Sequence, residues 1–277
     1  MKNDCFLIIG GDNRQKYLYE ALLRQGMAAE IIFHKPEPDP QAALRKIPEA
    51  EIIVLPIPVS ADGIFLFAPE SRQQISVEEI ANRISEKAVV FAGGEHPAVT
   101  ASAAKKTVNL LGDEVMTLKN AMATAEAALA VMIGHTDLTL FGAEILMIGY
   151  GRIGKILSEY LLSLHSHVTV CARKEQARTL AKLKGCRAVG FGALEQSLAQ
   201  TDIIVNTVPS PVLGKKELLC VNPRSLIVDL ASKPGGVDFV TSEILGIKAI
   251  HALSLPGKYS PKSAAKFIEE TIFNTLI

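Results

Sequence analysis

Glu144-Ile145-Leu146-Met147-Ile148-Gly149-Tyr150-Gly151-Arg152-Ile153-Gly154 is the stretch that decides the reading of this chain. An apolar run of strand length meets a G-x-G-x-x-G hexapeptide, and an amphipathic pattern follows it to Leu164. The glycines alone are a weak signal; a strand before them and a helix after them supply the context that the chemistry needs. Gly149 permits the tight turn, Gly151 lets a pyrophosphate approach the backbone, and Gly154 lets helix and strand pack closely. The helix start adds unpaired N–H groups and the positive end of a dipole. The loop Gly149, Tyr150, Gly151, Arg152, Ile153, Gly154 is therefore expected to bind a dinucleotide. The alternative is a glycine turn with no ligand.

Downstream the alternation continues. Strands are expected at His167–Cys171, Ala188–Val189, Asp202–Asn206, Leu226–Leu230 and Lys248–Ala252, with helices at Lys174–Lys184, Leu194–Ala199 and Pro261–Leu276. An NAD site places an acid near the tip of the second strand, about 20 residues after the glycines, to hold the ribose 2′-OH. Here Cys171-Ala172 is followed by Arg173 and Lys174, cations suited to a 2′-phosphate, so NADP(H) is favoured, with NAD(H) possible. They are otherwise solvated helix-start charges. Val208 and Pro209, at the tip of the fourth strand, are expected over the nicotinamide.

Upstream, Ile8-Ile9-Gly10-Gly11-Asp12 echoes Met147-Ile148-Gly149-Tyr150-Gly151, and Glu51–Val54 with Pro58 echoes Asp202–Val205 with Pro209. The fold class that follows is α/β, with two Rossmann-like, doubly wound parallel-sheet domains. Aligning Gly10 with Gly149 sets Asp12 against Gly151 and Gln15 against Gly154. A carboxylate opposes a pyrophosphate and Gln15 is expected to crowd the helix–strand contact, so this half is expected to bind substrate instead. Asp12 and Arg14 lie at a strand's carboxyl end, and Arg14 is the candidate carboxylate clamp, unless it is an ordinary surface residue of the first helical turn. The domains are read as 1–117 for substrate or partner, joined by the returning helix 261–276, a linking helix 118–139, and 140–257 for the dinucleotide. The linking helix looks apolar around much of its circumference, so Glu126 within it is expected to be buried and to need a partner. His251, near a strand tip, is a candidate acid–base group, with a satisfied core histidine as the alternative. Lys258 and Glu126 are the other catalytic candidates, and Lys233 and Ser254 join Asp12 and Arg14 as substrate-binding candidates.

Composition excludes several classes. Lys plus Arg and Asp plus Glu are 29 each among 277 residues, so the basic excess of a nucleic-acid binder is missing. Aromatics are 5% with no Trp, which argues against a stacking surface for single strands. No apolar stretch approaches the roughly 18 residues of a membrane-spanning helix. Four scattered cysteines without a C-x-x-C pair are read as reduced thiols in the cytoplasm. His165-x-His167 lacks a third ligand, so no metal site is expected.

Four segments resemble the dipicolinate synthase A-subunit family: Ile8–Gln15, Asn120–Glu126, Asp229–Gly236 and His251–Lys258. The resemblance implies a fold similar to the two-domain hydroxyacid dehydrogenases. It implies a cytoplasmic enzyme, in the mother cell of a spore-forming bacterium, that converts dihydrodipicolinate to dipicolinate with a flavoprotein-like B subunit. A homo-oligomer is also expected. The alternatives are another NAD(P)-dependent oxidoreductase of a small carboxylic acid, and a non-catalytic subunit that senses NADP. The usual Arg and Glu–His set of hydroxyacid dehydrogenases and the Lys–Asp pair of shikimate-type enzymes are not recognisable.

Overall fold

A computed structural model describes residues 5–276. Among them the chain forms two compact units: one runs to Asn120 and resumes at Gly257, and the other is Ala121–Pro256.

The first unit begins with β1 (Phe6–Ile9), α1 (Asn13–Arg24), β2 (Ala29–Ile32), α2 (Pro40–Leu44), β3 (Ile52–Val54) and α3 (Val77–Ala81). It continues with β4 (Val89–Ala92), α4 (Pro97–Thr100) and β5 (Lys106–Asn109), and α5 (Glu114–His135) starts in it. Its parallel sheet has the order β2-β1-β3-β4-β5, the flavodoxin-like order 2-1-3-4-5. Period-2 alternation divides β1 between two cores. Phe6 and Ile8 join Val54, Phe91, Leu18 and Leu22 on one face. Leu7 and Ile9 join Ile53, Val90, Leu44 and Ile80 on the other. Each such side chain contributes roughly 1.5–3 kcal/mol of burial, and strands buried on both faces read as continuous apolar runs.

The second unit carries β6 (Glu144–Ile148), α6 (Arg152–Ser163), β7 (His167–Cys171), α7 (Glu175–Leu183), β8 (Arg187–Val189) and α8 (Leu194–Leu198). Then follow β9 (Ile203–Asn206), α9 (Lys215–Leu218), β10 (Leu226–Asp229), α10 (Phe239–Ile244) and β11 (Lys248–His251). Its sheet runs β11-β10-β9-β6-β7-β8, which is the order 3-2-1-4-5-6 of a dinucleotide-binding fold read from the far edge. The order reverses between β6 and β9, the switch point where such sheets bind ligands. Ile145 and Met147 face one core with Leu157 and Leu161. Leu146 and Ile148 face the other with Leu194 and Leu218.

A short helix, α11 (Leu255–Tyr259), precedes α12 (Pro261–Leu276). Ile268 and Ile272 of α12 pack with Leu18 and Leu22 of α1, and the Phe6 and Phe273 rings meet edge to face at 6.4 Å. β5 and α4 were not expected from sequence: Lys106-Thr107-Val108-Asn109 lies at the sheet edge, half exposed, so it lacks the apolar signature of the inner strands.

Candidate functional site

The glycine loop of the second unit has the geometry its spacing predicts. Gly149 has φ +93°, and a Cβ there would strike Thr207 Oγ1. A Cβ on Gly154 would lie 2.7 Å from the Gly149 carbonyl oxygen, so only glycine lets α6 start this close to β6. Around Gly151 a Cβ would meet nothing within 4 Å. Gly151 is the N-cap of α6, and no side chain caps the helix there. The start of this 12-residue helix therefore combines open space with backbone donors lacking a side-chain cap. Those properties fit a bound pyrophosphate. Arg152 is exposed and Ile153 half-buried just beyond. Tyr150 is buried in the unit's core, and burial pushes its hydroxyl up to about 12.

At the tip of β7, Arg173 and Lys174 are exposed and no acid intervenes. Arg178 braces this turn, donating to the Ala172 carbonyl at 2.9 Å and the Arg173 carbonyl at 2.7 Å. At the tip of β9, Val208 is half-buried and Pro209 exposed.

A buried polar pair escaped the sequence reading. Asn206 and Asp229 end β9 and β10, face each other in register, and are both fully buried. The Asn206 amide donates to Asp229 Oδ1 at 2.8 Å. The signal was present in sequence: Ile203-Ile204-Val205-Asn206 and Leu226-Ile227-Val228-Asp229 are apolar strands that each end on one polar side chain.

His251 ends β11. Its Nε2 lies 3.0 Å from the Ala231 carbonyl oxygen, and its ring stacks on Phe239 at 5.2 Å. A carbonyl partner accepts only, which assigns the proton to Nε2 in the neutral ring and leaves Nδ1 as its acceptor. Ser254, just after β11, is held at φ +56°, a conformation that costs of order 1–3 kcal/mol in a non-glycine residue. Lys233 and Lys258 are exposed.

Two expectations are corrected. Glu126 is not buried: it is exposed on α5, while Ala123, Ala125, Ala127 and Ala128 point inward. The helix has an outward stripe that its high alanine content hides in sequence, so Glu126 needs no compensating partner. Gln15 does not crowd its helix–strand contact: it is fully buried, and its Oε1 accepts from the Asp12 N–H at 3.1 Å. Its side chain lies where a Cβ on Gly11 would be, so Gly11 makes the room.

In the first unit the corresponding loop is filled by its own side chains. Asp12 caps α1 and accepts from Arg14 at 2.9 and 2.8 Å. Arg14 is only 3% exposed and also donates to the Ile57 carbonyl. It is not a surface residue, and the fork expected to clamp a substrate carboxylate already holds Asp12. The Gly11 N–H is bonded to the Phe67 carbonyl at 2.7 Å.

Among the described residues there is no cluster of three or more His, Cys, Asp or Glu able to hold a metal ion. No helix there is long and apolar enough to cross a membrane. All four cysteines are free.

Comparison with known proteins agrees with this geometry. Residues 102–231 match the D-isomer specific 2-hydroxyacid dehydrogenase NAD binding domain, and residues 5–112 match the N-terminal domain of the dipicolinate synthase A-subunit. D-lactate dehydrogenase from Escherichia coli shares the fold, with a TM-score of 0.68 at 11% identity over 98% of this chain and 95% of that one. The chain is an NAD(P)-dependent oxidoreductase of two parallel-sheet α/β domains, and its cofactor is a nicotinamide nucleotide. Its resemblance to the dipicolinate synthase A-subunit family holds over the whole length. The A-subunit of Bacillus subtilis (strain 168) is 29% identical over 97% of this chain and 94% of its own. The crystal structure of the Bacillus halodurans A-subunit has a TM-score of 0.88 at 26% identity, covering 99% and 98% of the two chains.

Proposed function

We propose that the chain oxidises dihydrodipicolinate to dipicolinate with NADP⁺ as acceptor, working with a B subunit in the cytoplasm of a sporulating mother cell. The observation that carries this reading is the full-length similarity to the dipicolinate synthase A-subunit, joined to an open glycine loop with cations at the next strand tip. The substrate loses a hydride and a proton and becomes aromatic. The nicotinamide supplies the hydride acceptor, and aromatisation supplies the driving force, so the protein's task is to orient the ring and take up the proton.

Roles for the residues follow from their chemistry. The loop Gly149–Gly154 holds the pyrophosphate, Arg173 and Lys174 meet the 2′-phosphate, and Val208 with Pro209 flank the nicotinamide. Lys233 and Lys258 supply positive charge for a dicarboxylate, with Ser254 as a hydrogen-bonding group; the Asp12–Arg14 pair, closed on itself, offers no free charge. His251, through Nδ1, is the first choice of proton acceptor; Glu126 and Lys258 are the others.

The test supplies the purified chain with freshly made dihydrodipicolinate synthase product and NADP⁺, with and without a B subunit. NADPH and dipicolinate are followed together. Equal formation of both supports the reading and shows whether the partner is required. Cofactor binding without either product, even with the partner, sinks it. The match to a 2-hydroxyacid dehydrogenase domain favours a second reading, oxidation of another small carboxylic acid, which a substrate panel in the same assay would reveal.

A further inference from the structure

The buried Asn206–Asp229 pair does more than satisfy itself. Asp229 sends both carboxylate oxygens into loops. Oδ1 accepts from the Ala231 N–H at 3.0 Å, as well as from Asn206. Oδ2 accepts from the Gly236 N–H at 2.8 Å. One carboxylate therefore closes the loop between β10 and α10 at both ends. Asn206 treats its own loop in the same way: its Oδ1 accepts from the Val208 N–H and its Nδ2 donates to the Val208 carbonyl, each at 3.0 Å. The two loops are then joined. Gly236 donates to Asp229, and its carbonyl accepts from Val212 at 3.0 Å and Leu213 at 2.9 Å. A side chain on Gly236 would strike Asn206 and the Val208 carbonyl; one on Gly235 would come within 2.7 Å of Asp229 Oδ2 and 3.2 Å of the His251 ring.

The place of this network in the sheet gives it a ligand. β9 neighbours β6, whose tip carries the glycine loop, and Thr207 touches Gly149. A dinucleotide crosses the crevice at the switch point with its pyrophosphate at α6 and its adenosine ribose at the tip of the next strand, β7. The other end must lie over β9 and β10, where the Asn206 and Asp229 loops stand.

We infer that Asp229, acting through Asn206, is the positioning residue of the nicotinamide half of the cofactor site. It holds the Thr207–Pro209 and Ala231–Gly236 loops in one arrangement and touches neither the phosphates nor the adenine end. This rests on the dinucleotide assignment of the glycine loop.

The test is a binding experiment that needs no turnover. Asp229→Asn keeps the shape but turns one of the two acceptor atoms into a donor facing an N–H. Wild type and variant are titrated calorimetrically with NADP⁺ and with 2′-phospho-ADP-ribose, the same molecule without nicotinamide; NAD⁺ and ADP-ribose replace them if the wild type prefers that pair. The variant is expected to bind NADP⁺ about tenfold more weakly and 2′-phospho-ADP-ribose within about twofold of wild type. Equal weakening of both ligands, or no weakening of either, overturns the inference. A wild type that binds neither dinucleotide overturns the cofactor reading as well, so the two failures are told apart. Should Asp229→Asn fail to fold, Asn206→Ala answers the same question. It leaves both backbone bonds to Asp229 and frees Val208, and a nicotinamide-dependent loss of about fivefold is expected. The same loss from both ligands overturns the inference there too.

Discussion

Gly10–Gln15 and Gly149–Gly154 occupy the same place, the first βα turn of a parallel sheet, and solve the same problem in opposite ways. Each helix start presents unpaired N–H groups and a positive dipole end. In the first unit Asp12 supplies the negative charge, Gln15 closes a capping box, and Arg14 neutralises the carboxylate. In the second unit no side chain caps the helix and the space beside Gly151 is open. The same backbone thus meets either an internal carboxylate or an open space that fits an external phosphate. The contrast turns on Asp12 in one loop and Gly151 in the other.

The largest effect is expected from removing the internal anion. Asp12→Ala strands the Arg14 guanidinium, which is 3% exposed, with the Ile57 carbonyl as its remaining partner on this network. Breaking a buried pair in this way costs about 3–5 kcal/mol, and loss of the cap adds about 1 kcal/mol. Urea unfolding, with hydrogen exchange reporting on α1, measures it. A loss below about 1 kcal/mol would mean that the pair is ornamental and the contrast between the loops empty.

Converting the open loop into the filled one is the converse experiment. Gly151→Asp places an N-cap carboxylate where nothing lies within 4 Å. The residue is a favoured cap, so thermal stability should hold or rise, by up to about 1 kcal/mol. Dinucleotide affinity should fall about 100-fold, roughly 2.7 kcal/mol, because the carboxylate takes the place and repels the charge of the pyrophosphate. Stability and affinity moving in opposite directions is the signature. A variant that binds the cofactor as wild type does would show that the phosphates are held elsewhere.

Much of this contrast was legible in sequence, and the part that was not has a physical cause. Glycines report backbone constraints that side chains cannot meet, so the tight turn at Gly149 and the close helix–strand contact at Gly154 were readable from their spacing. The two sheets were legible because inner strands such as Ile52–Val54 and residues 203–205 of β9 are apolar on both faces. Polar side chains are harder, because their roles depend on partners distant in the chain. Arg14 looked like a free clamp, since nothing in sequence shows that Ile57, 43 residues away, offers its carbonyl. Glu126 looked buried because the alanines around it do not reveal which side of the helix faces out. Asn206 and Asp229 are separated by 23 positions and meet only through strand pairing.

Tyr150 sharpens the comparison at the position that aligns with Gly11. Gly11 leaves room for Gln15, whereas the Tyr150 ring fills the core of its unit. Burial raises its hydroxyl to about 12, above the value near 10 of the unfolded chain. The folded state thus disfavours the phenolate. The stability this represents is complete below about pH 10 and is lost as pH rises towards 12, since only the unfolded chain releases the proton easily there. Tyr150→Phe should flatten the alkaline limb of the stability curve, by about 1–2 kcal/mol at pH 11 to 12, and leave the acid limb unchanged. An unchanged alkaline limb would place the ring in water.

The smallest effect lies one strand further on and concerns which nucleotide the open loop selects. The tips of β2 and β7 correspond, and they too differ in what they leave free. After β2, the Phe33 N–H is bonded to Glu37 at 2.8 Å and His34 is buried, so the turn closes on itself. After β7, Arg178 holds the turn by its carbonyls, which leaves the side chains of Arg173 and Lys174 exposed as cations. An acid at this tip would accept from the ribose hydroxyls and repel a 2′-phosphate; a cation does the reverse. Arg173→Asp should therefore lower the NADP-to-NAD ratio of kcat/KM about tenfold, near 1.4 kcal/mol, as expected for one exposed charge pair made repulsive. Lys174 remains in the variant, so the preference should weaken before it inverts. Because Arg178 bonds to the backbone of residue 173 and not to its side chain, the turn should survive the substitution. Binding of the unphosphorylated nucleotide then serves as the internal control. A ratio that moves less than about twofold, with that control intact, would place the selecting group elsewhere and leave Arg173 a solvated charge at a helix start.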